Sequence, residues 1–329
     1  MTTSRQQPFW GNLLHLGFNM WTDRPAADES LPWTITRGDP AVLASYAYVG
    51  AADHLRCDRS LWDDLIDRMA AIGMNMAVID LGEGVRYKSH PELAVKGSWT
   101  TAELRDALAR IRSAGLEPIP KLNFSAGHDA WLGEYARMVS TSTYYRVCSE
   151  LIEEVCDLFD KPRFFHLGLD EEVPGDQKEG LICICRQHEL WWHDLEWFAN
   201  EVRRRGVRPW IWSDMWWKKE EIFAARCPKD VLQSNWFYGD FADPEERFLR
   251  TFADIDRAGF DQVPTGSTWR VVNNIEMIAR HARNTITPER LLGFLQTTWL
   301  PTLESLRHRH MEAIDEARKA MRVFAPQGN

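Results

Sequence analysis

The chain alternates between apolar segments of strand length and segments with helical periodicity, and this alternation restricts its fold more than any other feature. Eight apolar segments are each followed by a turn and a helical pattern; they cover residues 13–21, 74–82, 116–124, 163–171, 207–215, 230–238, 260–269 and 290–299. Nearly continuous apolar strands that alternate with helices are typical of a parallel sheet covered by helices. Eight repeats favour a closed α/β barrel, so we predict a single (β/α)8 TIM barrel over an open doubly wound sheet.

The helical segments carry signals for their ends. In SLWDDLIDRMAAIG at 60–73, apolar residues recur at helical spacing between Ser60, a predicted N-cap, and Gly73, a predicted C-terminal cap. Glycine occupies the same place before later strands at Gly115, Gly206 and Gly259. Positions 144, 148, 151, 155 and 158 form a further apolar stripe. These patterns predict helices between the strands.

Composition limits the partners and the compartment. With 329 residues and 44% hydrophobic content, the chain can form one large core. We predict one (β/α)8 barrel over 1–329, with 1–12 as an N-terminal extension and 322–329 as a C-terminal tail. The net charge of -9, without a basic stripe, argues against nucleic acid or an anionic membrane as a partner. No segment resembles a secretory signal or a membrane span, so we expect a cytoplasmic protein. The oligomeric state is not indicated.

The sequence gives little indication of a metal or a nucleotide cofactor. The six cysteines lack the spacing of a disulfide framework, so we expect reduced thiols. Cys183, Cys185, His188 and His193 lie close in sequence, but C-x-C is not a usual zinc spacing, and ordinary packing is favoured. No strand is followed by G-x-G-x-x-G. We therefore expect no cofactor.

In FFHLGLDEEVPG at 164–175, an apolar strand runs directly into Asp170, Glu171 and Glu172. Adjoining carboxylates repel one another and are costly to bury, so the stretch is either a solvated turn or a site that uses the charge. We expect Glu172, the last of the three, to be a solvated turn residue. In a TIM barrel, the end of a strand is where active sites form.

Other polar and aromatic residues follow the same strand ends. The polar ones are Asp80, Glu83, Asn123, His128, Asp129, Asp214, Asn235 and Tyr238. Seven tryptophans share this predicted rim, namely Trp21, Trp212, Trp216, Trp217, Trp236, Trp269 and Trp299. Flat aromatic walls with a few polar groups suit a sugar, whose C–H faces stack while its hydroxyls hydrogen-bond.

Three of these stretches resemble motifs of the family 20 glycoside hydrolases, the β-N-acetylhexosaminidases. HLGLDEE at 166–172 resembles their H-x-G-G-D-E motif, NFSAGHD at 123–129 their P-G-H segment, and GFLQTTW at 293–299 their G-x-Q-x-x-W. The resemblance implies that Glu171 is the general acid and that Asp170 orients the substrate's 2-acetamido group. It also implies that His128 and His166 support the pair and that Trp236, Trp269 and Trp299 wall the acetamide pocket.

The chain also departs from the family pattern. Where these enzymes carry an arginine after strand one, this chain has Asn19, Met20 and Trp21. Leu169 replaces the second glycine of the motif and is expected to add bulk to the floor beside Asp170, and Ala126 replaces the proline. We therefore expect a divergent relative whose sugar is not fixed by the resemblance.

The paired acids suggest how such an enzyme would work. A carboxylate neighbour in an aromatic pocket is expected to raise the pKa of Glu171. The end of strand seven, PTGSTWR, offers no nucleophile, which fits a retaining mechanism assisted by the substrate's acetamide. An inverting mechanism with Asp214, Asp80 or Glu83 as base stays open. We expect Asp214 to support catalysis, and substrate contacts from Asn123, Asp129, Trp212 and Tyr238.

Two other function classes are compatible with the same residues. One is a metal-dependent sugar isomerase or epimerase with ligands such as Glu171, Asp214 and His128. The other is a sugar-binding barrel that has lost catalysis.

Overall fold

The computed structural model describes residues 8–25, 48–177, 180–242 and 246–324. Its eight barrel strands are β1 Phe9–His15, β2 Met76–Asp80, β3 Glu117–Lys121, β4 Phe164–His166, β5 Arg208–Trp212, β6 Leu232–Ser234, β7 Thr265–Ser267 and β8 Gly293–Thr297. The helices that follow them are α1 Arg59–Ile72, α2 Thr101–Ser113, α3 Ser142–Leu158, α4 Glu189–Arg203, α5 Asp214–Arg226, α6 Arg247–Arg257, α7 Asn274–Thr285 and α8 Arg307–Phe324.

The strands form a parallel barrel. Their order is β6-β5-β4-β3-β2-β1-β8-β7, and all the paired strands run parallel. Bridges from Gln233 to Gln262 and from Trp236 to Thr265 join the two ends of this order and close the ring. The predicted (β/α)8 barrel is confirmed, and each predicted strand overlaps an observed one.

The predicted ends of the chain were less accurate. β1 begins at Phe9, inside the segment 1–12 that was predicted to be an extension. The final helix continues to Phe324, so the predicted tail at 322–329 begins too early.

Side chains alternate between the barrel interior and the helix layer because successive residues of a strand point to opposite faces. In β1 and β2, Leu13 and Val78 belong to the interior apolar cluster, whereas Leu14 and Ile79 belong to the cluster between strands and helices. Trp210 is fully buried inside the barrel. Two concentric cores result, and the inner one supports the upper end of the barrel.

The helix ends follow from local sequence. Gly73, Gly115, Gly206 and Gly259 all have positive φ, as expected of residues that end helices. Helix α2 begins with a capping box between Thr100 and Glu103. The predicted N-cap Ser60 is wrong, because α1 begins one residue earlier, at Arg59, after Asp58. The predicted stripe on α3 is confirmed, since all five of its residues are buried.

Two predictions concern features outside the barrel mouth. The six cysteines are free thiols, and Cys183 and Cys185 lie with their sulfurs 3.9 Å apart. His193 contacts Tyr145 and Asp194 instead of either sulfur. None of the helices in the described ranges is long and apolar enough to cross a membrane.

Candidate active site

A polar layer lies inside the upper end of the barrel. Strand alternation places the last residues of β1 to β4 there, namely His15, Asp80, Lys121 and His166. Lys121 is fully buried and forms an ion pair with Asp80, and His15 Nδ1 lies 3.5 Å from Asp80 Oδ2. Burial raises the pKa of Asp80, but the charge of Lys121 outweighs it and the net pKa is lowered. Lys121 was not predicted to be part of the site. The one indication was that this lysine ends an otherwise largely apolar, buried strand.

A strained turn carries the acidic pair out of β4. Gly168, Leu169 and Glu171 have φ of 74°, 68° and 47°, a region that side chains disfavour. A Cβ at position 168 would lie 1.9 Å from Asn123 Oδ1, so this position requires glycine. Leu169 packs in the layer between strands and helices, so the expectation that it fills the pocket floor was wrong.

His128 lies between the two acids. Its Nε2 donates to Glu171 Oε2 at 3.1 Å and lies 3.5 Å from Asp170 Oδ2. Asn123 Nδ2 donates to Asp170 Oδ1 at 2.8 Å, which fixes the orientation of that carboxylate. The Glu171 side chain is 33% exposed and Asp170's only 11%. Glu171 is therefore the acid open to a ligand, and Asp170 lies deeper.

Asp214, the first residue of α5, joins the pair from the neighbouring strand end. Its Oδ2 accepts from the backbone N–H of Glu171 at 3.2 Å, and its Oδ1 accepts from Trp236 Nε1 at 2.9 Å. The ends of β3, β4, β5 and β6 thus all contribute to one hydrogen-bonded network. This network brings together six of the predicted site residues, namely Asn123, His128, Asp170, Glu171, Asp214 and Trp236.

The pKa values of the three acids are shifted in different directions. Burial, aided by the neighbouring carboxylates, raises the pKa of Asp214 well above its ordinary value, and burial also raises the pKa of Asp170. Burial likewise acts to raise the pKa of Glu171, but the hydrogen bond and charge of His128 outweigh it and leave that pKa lowered. Burial opposes charge on His128, yet the two acids raise its pKa to about 9. The predicted raised pKa of Glu171 is therefore wrong for the unliganded protein.

Aromatic residues wall the mouth above this network. Trp299 lies against Trp212 and Trp21, with ring centroids 5.8 and 6.1 Å apart, and its Nε1 donates to Tyr238 Oη at 3.1 Å. Tyr238 stacks on Trp236 at 4.8 Å and meets Trp269 edge-on at 6.2 Å. A cavity of about 560 Å³ is lined by Trp236, Tyr238 and Trp269 together with Asp240 and Arg270.

Two of the seven rim tryptophans lie elsewhere. Trp216 packs into the layer between strands and helices against Phe223 and Phe260. Trp217 stands behind Trp236, with Nε1 donating to Asn235 Oδ1 at 3.0 Å. Helix α5 begins immediately after β5, so residues 216 and 217 follow helical directions that the strand pattern did not reveal.

His166 and Asp129 lie apart from the acidic pair. His166 lies in the polar layer, where its Nδ1 accepts from the N–H of Gly168 at 3.1 Å and its ring packs 4.4 Å from Trp212. Burial lowers its pKa well below the ordinary value. Asp129 is buried, and its Oδ2 has no hydrogen-bond partner among the described residues. Burial raises the pKa of Asp129 to about 8.

Glu172 is not the solvated turn residue that was expected. It is 6% exposed, and its carboxylate accepts from the backbone N–H, Nε and Nη2 of Arg186 and from the N–H of Ala126. The three consecutive acids therefore diverge, with two at the mouth and one in a buried ion pair. Nothing in the local pattern reveals Arg186, since a loop separates it from Glu172.

One group of side chains in the described residues has the donor spacing of a cation site. His128, Asp170 and Glu171 each offer a ligand atom within 4.8 Å of the others. Asp214 directs its two oxygens to Glu171 N–H and Trp236. The ligand set predicted for an isomerase, which included Asp214, is therefore not the set whose donors converge.

Comparison with known proteins points to one group of enzymes. No family model matches the chain. Hexosaminidase D of Bos taurus is 23% identical over 265 residues, covering 70% of this chain and 76% of the bovine protein.

Solved structures share the barrel. The chitobiase of Flavobacterium johnsoniae superposes with a TM-score of 0.57 at 19% identity, covering 81% of this chain and 48% of that one. The β-N-acetylhexosaminidase of Bacteroides fragilis gives 0.60 at 14%, covering 93% and 65%. The Streptomyces plicatus N-acetyl-β-hexosaminidase gives 0.58 at 12%, covering 93% and 62%. The chain thus spans about half to two thirds of these structures, and its resemblance to family 20 glycosidases, as a divergent relative, is confirmed.

Proposed function

We propose that the protein is a glycoside hydrolase of the β-N-acetylhexosaminidase type, with Glu171 as general acid and Asp170 as the residue that orients the substrate's acetamido group. One observation carries the proposal: the two acids leave one strained turn, contact one histidine and open beneath an aromatic wall. The hexosaminidase names of the sequence relative and of two structural neighbours support the same activity.

In the proposed first step, the acetamide oxygen of the substrate attacks the anomeric carbon while Glu171 gives its proton to the departing oxygen. Asp170, held by Asn123, accepts a hydrogen bond from the acetamide N–H. In the second step, Glu171 removes a proton from the water that opens the cyclic intermediate. The segment 264–270 contains no carboxylate that could act as an enzymic nucleophile.

A bound sugar would also shift Glu171 towards the protonated form that a general acid needs. In the unliganded protein its pKa is lowered by His128, although burial opposes this. A sugar ring stacked on Trp299 would cover the exposed third of the Glu171 side chain and remove water from it. Desolvation favours the neutral acid, so substrate binding would raise the pKa of Glu171 towards that of a proton donor.

The engagement of the other acids favours retention over inversion. Asp80 is paired with Lys121, Glu83 accepts the N–H groups of Phe18 and Asn19, and Asp214 accepts from Glu171 and Trp236. An inverting base must hold a water on the far side of the sugar. Each of these three carboxylates already has fixed partners, whereas the acetamide-assisted route needs no further carboxylate to hold a water on the far side of the sugar.

The test is release of nitrophenol from 4-nitrophenyl N-acetyl-β-glucosaminide by wild type, Glu171→Gln and Asp170→Asn, with the exposed Glu134→Gln as control. We expect both active-site variants to lose about 10²-fold or more in kcat, and the control to match wild type. Proton NMR of the first-formed sugar should show the β-anomer. Wild type that binds N-acetylglucosamine without turnover would indicate a sugar-binding protein. Turnover abolished by a chelator would indicate metal chemistry.

A further inference from the structure

Arg186 is the centre of a buried charge cluster directly behind the acidic turn. Its backbone N–H and Nε donate to Glu172 Oε1 at 2.6 and 3.0 Å, and its Nη2 donates to Glu172 Oε2 at 2.7 Å. Its Nη1 donates to Asp194 Oδ2 at 3.1 Å. All three side chains are 2% exposed or less. A guanidinium with this many charged partners is rigidly held.

The cluster also ties two loops of the site together. Glu172 Oε2 accepts from the N–H of Ala126 at 3.1 Å, and Arg186 Nη2 donates to the carbonyl of Phe124. Phe124 and Ala126 both belong to the loop that carries His128. A Cβ at Gly127 would lie 3.1 Å from the carbonyl of Glu171, so the loops touch at this point.

The position of this cluster matters because Glu171 has an unfavourable backbone. With φ at 47°, it keeps its conformation only if its neighbours fix it. On one side, Ser125 Oγ donates to the carbonyl of Asp170. On the other side, the next residue is Glu172, which Arg186 holds. Release of Glu172 would free the turn at the residue that presents its carboxylate to His128.

We propose that Arg186 is a positioning residue: through Glu172 it holds Glu171 in the strained conformation that places its carboxylate at the barrel mouth. The inference rests on the proposed function of Glu171 as general acid. The claim that Arg186 and Glu172 fix the conformation of Glu171 can, however, be tested without any measurement of catalysis.

The kinetic test compares two leaving groups. Departure of phenol requires protonation, whereas 2,4-dinitrophenolate leaves without it. Because Arg186→Met alone would strand the buried Glu172 carboxylate, the main variant is Glu172→Leu with Arg186→Met, which removes that pair. Asp194 loses Arg186 in this variant but keeps its hydrogen bonds from Ser140 Oγ and Tyr145 Oη. We expect kcat/KM to fall about 100-fold on phenyl N-acetyl-β-glucosaminide and less than about 5-fold on the 2,4-dinitrophenyl compound. An equal loss on both substrates, or no loss, would overturn the proposal.

A control variant removes another arginine–carboxylate pair with two hydrogen bonds, one that is more exposed and lies near the opposite end of the barrel. Arg203 donates to Asp230 through Nε and Nη2 at 2.7 and 2.6 Å. The variant Arg203→Met with Asp230→Leu should keep wild-type kinetics on both substrates. If it reproduces the leaving-group effect, the effect is a general loss of rigidity and the proposal is wrong.

A crystal structure of the Glu172→Leu, Arg186→Met variant tests the geometry without activity. The proposal requires Glu171 to leave the 3.1 Å contact with His128 Nε2. A contact preserved at that distance overturns it, whatever the kinetics. If wild type hydrolyses neither substrate, the proposed function fails, and this structure alone decides whether Arg186 positions Glu171.

Discussion

Asp129 should make the protein less stable as the pH rises, and Asp129→Asn should remove this dependence. The side chain is buried, its Oδ2 has no partner among the described residues, and burial raises its pKa from 3.8 to about 8. The folded state therefore keeps a proton that the unfolded chain has already released. The stabilising contribution is complete below the unfolded pKa and is lost as pH rises through the folded pKa.

The size of the effect follows from the width of the pH range between the unfolded-state and folded-state pKa values of Asp129. Each pH unit within it costs about 1.36 kcal/mol, so between pH 5 and pH 8 the free energy of unfolding should fall by about 4 kcal/mol from this residue. Partial relaxation around the ionised carboxylate makes this an upper figure.

Asparagine has nearly the same shape and no charge to bury. Urea denaturation of wild type and Asp129→Asn at pH 5, 6.5 and 8 measures the difference. The variant should gain little at pH 5 and progressively more at higher pH. Parallel pH curves for the two proteins would refute the reasoning, because they would show that Asp129 ionises as readily in the folded state as in the unfolded one.

Three further outcomes are expected. Lys121→Met should lower the free energy of unfolding by about 3 kcal/mol or more because it strands Asp80, and Asp80→Asn in the same chain should restore much of it in urea denaturation. The pH profile of kcat/KM should be a narrow bell. The proposed mechanism needs ionised Asp170 and protonated Glu171, but the pKa of Asp170 is raised and that of Glu171 is lowered, so the two required forms coexist over a narrow pH range. A plateau several pH units wide contradicts this. Trp299→Ala should raise KM about 10-fold in steady-state assays with kcat little changed; an unchanged KM contradicts sugar stacking.

The sequence predicted the barrel well because its signals are local. Each strand is an apolar run, and each of four helices ends at a glycine with positive φ. The start of β1 was missed because FWGN at 9–12 includes Gly11 and Asn12, which interrupt the apolar run although both face buried surroundings. Pairing with β8 and β2, which no local pattern reports, places these residues in the sheet.

The candidate site was predictable in composition but not in electrostatics. Strand ends located Asp170, Glu171 and Asp214, because the ends of parallel strands meet at one rim. The lowered pKa of Glu171 depends on a 3.1 Å contact with His128 across two loops. The burial of Glu172 likewise depends on Arg186, which comes 14 residues later. Long-range contacts of this kind decide which of three adjacent acids lies at the mouth and which is buried in an ion pair, and no local sequence pattern reports them.

His128 couples the two proposed roles of the acidic pair. Its Nε2 approaches both carboxylates, so its positive charge is shared between them. When a bound substrate makes Glu171 take up a proton, that acid no longer balances the charge on His128, and the imidazolium then favours the ionised form of Asp170. Asp170 is the residue that the proposed mechanism needs as an anion, to hold the acetamide. Without substrate, His128 opposes protonation of Glu171. With substrate bound, the same histidine would support the ionised form of Asp170 that the proposed mechanism needs.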